Sequence, residues 1–188
     1  MDMEIMKRFA QKFLNIFFAI SCLVISIQPC SDVIAETADE YVIKAAFVMN
    51  FAKFTQWPEK TFTDDADEIR LCVMGDDSVY TAFSKIEGNT INGLRLVVKK
   101  IKTTQEIENC HVLFVSRPNR DDLPKIFAGI KKKPILTIGE ITGFETSGGI
   151  INLEKEEDKI RFSINVTAAK QSGLEISSRL LRLATIVK

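Results

Sequence analysis

The spacing of apolar residues changes several times along the chain. From Phe13 to Ile27 they form an almost uncharged run, preceded by Lys7, Arg8 and Lys12. From Glu40 to Gln56 the spacing is helical. Val42, Ala45, Ala46, Met49 and Ala52 make one stripe, with Phe47, Phe51 and Phe54 beside it. Trp57-Pro58 should end this helix, because the residue before proline avoids helical backbone. Asp64 to Glu68 reads as an acidic loop.

Short apolar runs then alternate with helical ones. Strands are expected at Ile69 to Met74, Leu94 to Val98, Val112 to Ser116 and Ile135 to Ile138. Helices are expected at Val79 to Ile86, capped by Asp77 or Ser78, and at Leu123 to Lys131, with a short helical turn at Thr104 to Glu108. Gly88 to Gly93 reads as a turn. Repeated strand, helix, strand predicts a largely parallel sheet covered on both faces. The end differs. Ile150 to Leu153 and Ile160 to Ile164 flank Glu156-Glu157-Asp158, which is a hairpin pattern. Helix is expected from Asn165, broken at Ser172-Gly173. A last helix is expected from Ser177 to Val187, with Leu180, Leu181, Leu183 and Ala184 on its apolar side. The fold expected is a single α/β domain: a mostly parallel sheet flanked by helices, with a C-terminal β-hairpin and helix.

The first run changes the setting. A basic segment, an apolar segment and Val33-Ile34-Ala35 before Glu36 make the three parts of a secretory signal peptide. The apolar run is roughly 15 residues, against the ~20 that span a bilayer. Uncleaved retention and a lipoprotein start at Cys22 or Cys30 are the alternatives. Pro29 before Cys30 and Ala19 three residues before Cys22 suit lipid attachment poorly. The expected division is a signal peptide at 1–35 and one domain at 36–188, working outside the cytoplasm.

Charge excludes one class of partner. The whole chain carries 25 basic and 25 acidic residues. The signal segment takes three of each, leaving 22 against 22. No basic stripe is present, so nucleic acid is not an expected partner. Lys131-Lys132-Lys133 is the dense positive cluster, and it reads first as a solvated helix end that complements the dipole.

Cys72 and Cys110 remain after cleavage. An even pair in an oxidising compartment points to a disulfide, with two buried free thiols as the alternative. In a sheet of 2-1-3 order the first and third strands are neighbours, close enough for such a bridge.

Candidate chemistry is sparse. His111 is the single histidine, which suits a structural role better than a metal site. Gly75-Asp76-Asp77 comes after the first strand, but it lacks the glycine pattern and lysine of a phosphate loop, so its acids read as helix caps. Gly143, Phe144, Gly148 and Gly149 form a glycine-rich loop after the Ile135 strand. This is either a flexible connection or a ligand loop at the carboxyl end of a sheet strand. No catalytic, cofactor or metal residues are assigned.

With those landmarks in order, the chain resembles the YfiR-like family. The carrying segments are KAAFVMNFAKFTQWP (Lys44–Pro58), LCVMGDD (Leu71–Asp77), CHVLFVS (Cys110–Ser116), PILTIGEITGF (Pro134–Phe144), GGIINL (Gly148–Leu153) and RFSINVTAAKQSGLEISSRLLRLA (Arg161–Ala184). The resemblance implies a non-enzymatic periplasmic repressor of an inner-membrane diguanylate cyclase, acting on its periplasmic part to lower cyclic-di-GMP and biofilm formation. It implies an outer-membrane, peptidoglycan-associated lipoprotein that sequesters the repressor. A homodimer and redox sensitivity at Cys72 and Cys110 are implied as well. Some family members carry a second cysteine pair in the glycine-rich region and hairpin, where Glu145 and Asn152 stand here. Arg179, Leu180, Arg182 and Leu183 form the expected partner or dimer surface, since the last helix has more apolar positions than one core contact needs. The alternative is a small-ligand sensor that uses the Gly139–Gly149 loop.

Overall fold

The structure is a computed structural model that describes residues 31–62, 67–157 and 159–187. The chain divides into two units, Met1–Glu36 and Thr37–Lys188. The expected signal peptide, with Cys22 and Cys30, lies outside the described residues except for its last few positions. All the described strands belong to the second unit.

Helix α1 spans Ser31–Lys53. It ends earlier than Trp57-Pro58 would require. The Thr55 hydroxyl donates back to the Phe51 carbonyl at 2.8 Å, and β1 (Thr55–Gln56) pairs antiparallel with β9 (Glu175–Ile176). A β-branched residue and a waiting partner strand therefore end the helix before the proline is reached.

The main sheet has eight strands among the described residues: β2 (Glu68–Met74), β3 (Thr90–Ile91), β4 (Leu94–Ile101), β5 (Val112–Val115), β6 (Leu136–Gly139), β7 (Ile151–Glu156), β8 (Lys159–Asn165) and β10 (Thr185–Val187). Their order is β10-β8-β7-β6-β5-β2-β4-β3. Strands β4, β2, β5, β6 and β7 run parallel, and β8 returns antiparallel to β7. The first long strand thus lies between the second and third, as expected. Strands β5 and β6 are buried at every position. That explains their continuous apolar runs, because both faces are covered.

Alternation along β2 divides the core. Leu71 and Val73 meet Val48 and Phe51 of α1 and Phe83 of α2 (Asp77–Ser84). Cys72 and Met74 face Ile107 of a 3-10 turn (Thr104–Asn109) and Ile126 of α3 (Leu123–Gly129). Of the acids expected as caps, Asp76 caps α2, its carboxylate accepting the Val79 N–H at 3.0 Å, while Asp77 and Ser78 lie inside the helix. Asp77 instead pairs with Lys100.

The last element is the clearest correction. Helix α4 (Val166–Gln171) forms as expected, with Asn165 as its cap. The expected Ser177–Val187 helix does not. One turn, α5 (Ser178–Leu181), is followed by β10, which pairs parallel with β8 through Ile186↔Ile164. Thr185, Ile186 and Val187 are all β-branched, and the open edge of β8 offers hydrogen bonds that a helix end lacks.

Candidate functional site

The most distinctive polar grouping is one the sequence pattern did not disclose. Glu40, Tyr41 and Lys44 lie on α1 with Glu40 and Lys44 one turn apart, so both reach the same surface. Lys44 is 1% exposed, although it stands in a helix that reads as apolar. Its ammonium bonds to Glu140, the residue directly after β6, and to Glu40. Glu140 also accepts from the Tyr41 hydroxyl at 2.9 Å and from the Arg117 backbone N–H at 3.3 Å. The Arg117 guanidinium lies 3.7 Å from both carboxylates, and Lys155 of β7 lies 3.4 Å from Glu40.

This cluster stands at the carboxyl ends of β5, β6 and β7. A cavity of about 500 Å³ opens beside it, lined by Lys44, Arg117, Arg120, Glu140, Leu153 and Glu154 among others. Open α/β sheets commonly hold ligands outside the carboxyl ends of their strands. Burial raises the Glu40 carboxyl, but Lys44 and Lys155 outweigh it and hold the group below its usual range. Burial, then the neighbouring Glu140 charge, pushes the Tyr41 hydroxyl up to about 12, so it stays a donor. Such a buried set is held together by mutual satisfaction, and removing one member strands the others. Its evident task is to fasten α1 to the carboxyl edge of the sheet, with the Arg117 head at the cavity mouth.

The expected cysteine pair is joined. Cys72 of β2 and Cys110, which ends the 3-10 turn just before the neighbouring β5, form a disulfide with Cα atoms 5.8 Å apart. Next to it, His111 is buried. Its Nδ1 accepts the Arg70 backbone N–H at 3.0 Å, and its ring lies 4.7 Å from that of Phe62. Burial, helped by the Arg70 charge, lowers the imidazole to about 4, so it is neutral at physiological pH. This is a structural histidine.

The YfiR/HmsC-like family model matches residues 41–185. The chain belongs to that family. Members are periplasmic regulators of cyclic-di-GMP signalling rather than enzymes. No curated protein matches the chain in sequence. Two solved structures are similar in part. A conserved domain protein from Vibrio cholerae O1 biovar eltor shows 16% identity and a TM-score of 0.48, covering 69% of this chain and 57% of that one. The ABC domain in complex with L-Trp from Streptococcus pneumonia shows 13% identity and a TM-score of 0.48, covering 74% and 62%. The chain therefore spans less than two thirds of either, and these likenesses carry no functional argument.

At Asn152 and Glu145, hydrogen bonds tie the glycine-rich loop to the β7–β8 hairpin. Asn152 is fully buried; its Oδ1 accepts the Ile141 N–H at 3.1 Å and its Nδ2 donates to Glu154 at 3.0 Å. Asn165 Nδ2 donates to the Glu145 carbonyl at 2.8 Å. The glycine-rich loop closes on its own aromatic ring. Phe144 is fully buried against Phe127, and a Cβ at Gly139 or Gly149 would stand 2.4 or 2.2 Å from the Phe144 ring. Phe144 is thus a core residue and lines no open site, because its own glycines make room for it. Gly143 takes a left-handed turn at φ +78°, and Gly148 reaches the surface.

The C-terminal candidates separate. Leu180 is 4% exposed and packs in the core. The Arg179 guanidinium lies 5.8 Å from the Phe54 ring centroid. Arg182 is exposed, and Leu183 is 74% exposed. Leu180 is therefore not a surface residue, whereas Arg179, Arg182 and Leu183 are.

Proposed function

We propose that this chain is a periplasmic repressor of an inner-membrane diguanylate cyclase. It binds the periplasmic part of the cyclase and lowers cyclic-di-GMP output and biofilm formation. An outer-membrane, peptidoglycan-associated lipoprotein relieves the repression by sequestering it. The observation that carries this reading is the family match over residues 41–185. The exposed apolar residues Leu183 and Ile186, next to Arg179 and Arg182, support a protein-binding surface at the C-terminal edge, which would also serve a homodimer.

The test is binding of the purified protein to the isolated periplasmic domain of the cyclase. The reading expects a saturable complex that is lost in Arg179→Glu/Arg182→Glu while the variant keeps its melting temperature. A complex unaffected by the double variant rejects this surface. No complex with a folded cyclase domain rejects the repressor reading.

A further inference from the structure

A second cavity lies away from the charged cluster. It is a half-open groove of about 880 Å³ between the C-terminal ends of α3 and α4. Phe127, Ile130 and Pro134 form its apolar wall. Lys131, Lys132 and Lys170 also line it, and no acidic residue is among the lining residues. Those lysines are exposed. The narrow sides are Gly148 and Gly173, at φ +115° and +73°, where any other residue would be strained.

Complementing helix ends accounts for some positive charge here. It does not account for three cations without a carboxylate around an apolar, concave floor. The helices concerned have seven and six residues, so their dipoles are small. Volume, apolar wall and one-sided charge together match the usual make-up of a small-molecule site: mostly apolar, with a few convergent polar groups.

We propose that this groove binds a small amphipathic anion. The acyl or aromatic body lies on Phe127, Ile130 and Pro134, and a carboxylate or phosphate head is held among Lys131, Lys132 and Lys170. The inference rests on the groove alone and does not depend on the repressor reading.

Calorimetric titration of the purified, disulfide-bonded protein tests it, with octanoate, octyl phosphate, octyltrimethylammonium and inorganic phosphate as probes. One or both octyl anions should bind, and which of them does so distinguishes a carboxylate head from a phosphate head. The octyl cation and inorganic phosphate should each bind at least about tenfold more weakly, a difference of about 1.4 kcal/mol. Lys131→Glu/Lys170→Glu, both at exposed positions, should weaken the anions by about tenfold or more with an unchanged melting temperature. Should that variant fold poorly, Ile130→Asp tests the same wall. Equal binding of the octyl cation would overturn the proposal, leaving only an apolar surface. Equal binding of inorganic phosphate would overturn it as well, leaving only a charged patch. So would undiminished affinity in a folded variant, or binding of an acidic peptide where neither octyl anion binds.

Discussion

The two ends of the parallel sheet are fastened by different chemistry. Around the start of β5 the tie is covalent: Cys72–Cys110, with the neutral His111 beside it. At the carboxyl ends of β5 to β7 the ties are ionic and hydrogen-bonded: Lys44 with Glu40 and Glu140, and Asn152 with the loop backbone. The first end answers to reductant. The second answers to charge and protons, and no reductant reaches its bonds. A protein with both can lose one tie while keeping the other.

Breaking the ionic end should have the largest effect. Lys44→Met leaves the buried Glu140 and the half-buried Glu40 without their shared cation, a loss of about 3–5 kcal/mol. Urea unfolding should show it, and the Lys44→Met/Glu140→Gln pair should recover part of the loss, since the two groups are coupled. A small effect of Lys44→Met alone would mean that Arg117 and Lys155 suffice.

Breaking the covalent end comes next. Reducing a bridge that closes a loop of 38 residues should cost about 4 kcal/mol in the chain-entropy model, less any native strain. Unfolding with and without reductant measures it. If the ends are independent, the cost should be the same in the Lys44→Met background.

Acid distinguishes the ends without mutation. His111 titrates at about 4 when folded and near 6.5 when unfolded. The unfolded chain therefore takes up the proton first. Stability should fall as pH drops from about 6.5 to 4, by up to about 3 kcal/mol less what solvent screening removes, and be unaffected above that window. Glu40 is shifted downward as well, below its usual carboxylate range, so the stability it contributes is lost only at lower pH, as the folded carboxylate is protonated. His111→Gln should flatten the upper part of a melting-temperature profile and leave the lower part. A profile unchanged in the upper window would mean that the imidazole is solvated.

The smallest effect on folding belongs to the C-terminal edge. Arg179→Glu/Arg182→Glu should change stability by only about 0.5 kcal/mol per residue, as measured by thermal melting. A larger loss would give the Arg179–Phe54 contact a structural role.

Legibility in the sequence divides along the same line. The covalent end is legible, because two cysteines in a chain that reads as exported and a 2-1-3 strand order place Cys72 beside Cys110. Apolar periodicity found β2, β5, β6 and the β7–β8 hairpin, whose burial forces the pattern. Lys44 was not legible, since a lysine among apolar stripe positions looks like any solvated side chain until Glu140 arrives from 96 residues away. The C-terminal strand was missed for a related reason. Leu180 to Val187 is apolar enough for either structure, and only the open edge of β8 decides. The packing of the glycine-rich loop is hidden in the same manner, because spacing cannot reveal that Phe144 fills the space that Gly139 and Gly149 leave.

The most direct test of the regulatory account is cyclic-di-GMP extracted from a deletion strain, with and without the gene supplied in trans. With a functional partner cyclase present, the account predicts a rise in nucleotide and biofilm on deletion, reversed by complementation. Unchanged cyclic-di-GMP in that strain would contradict it.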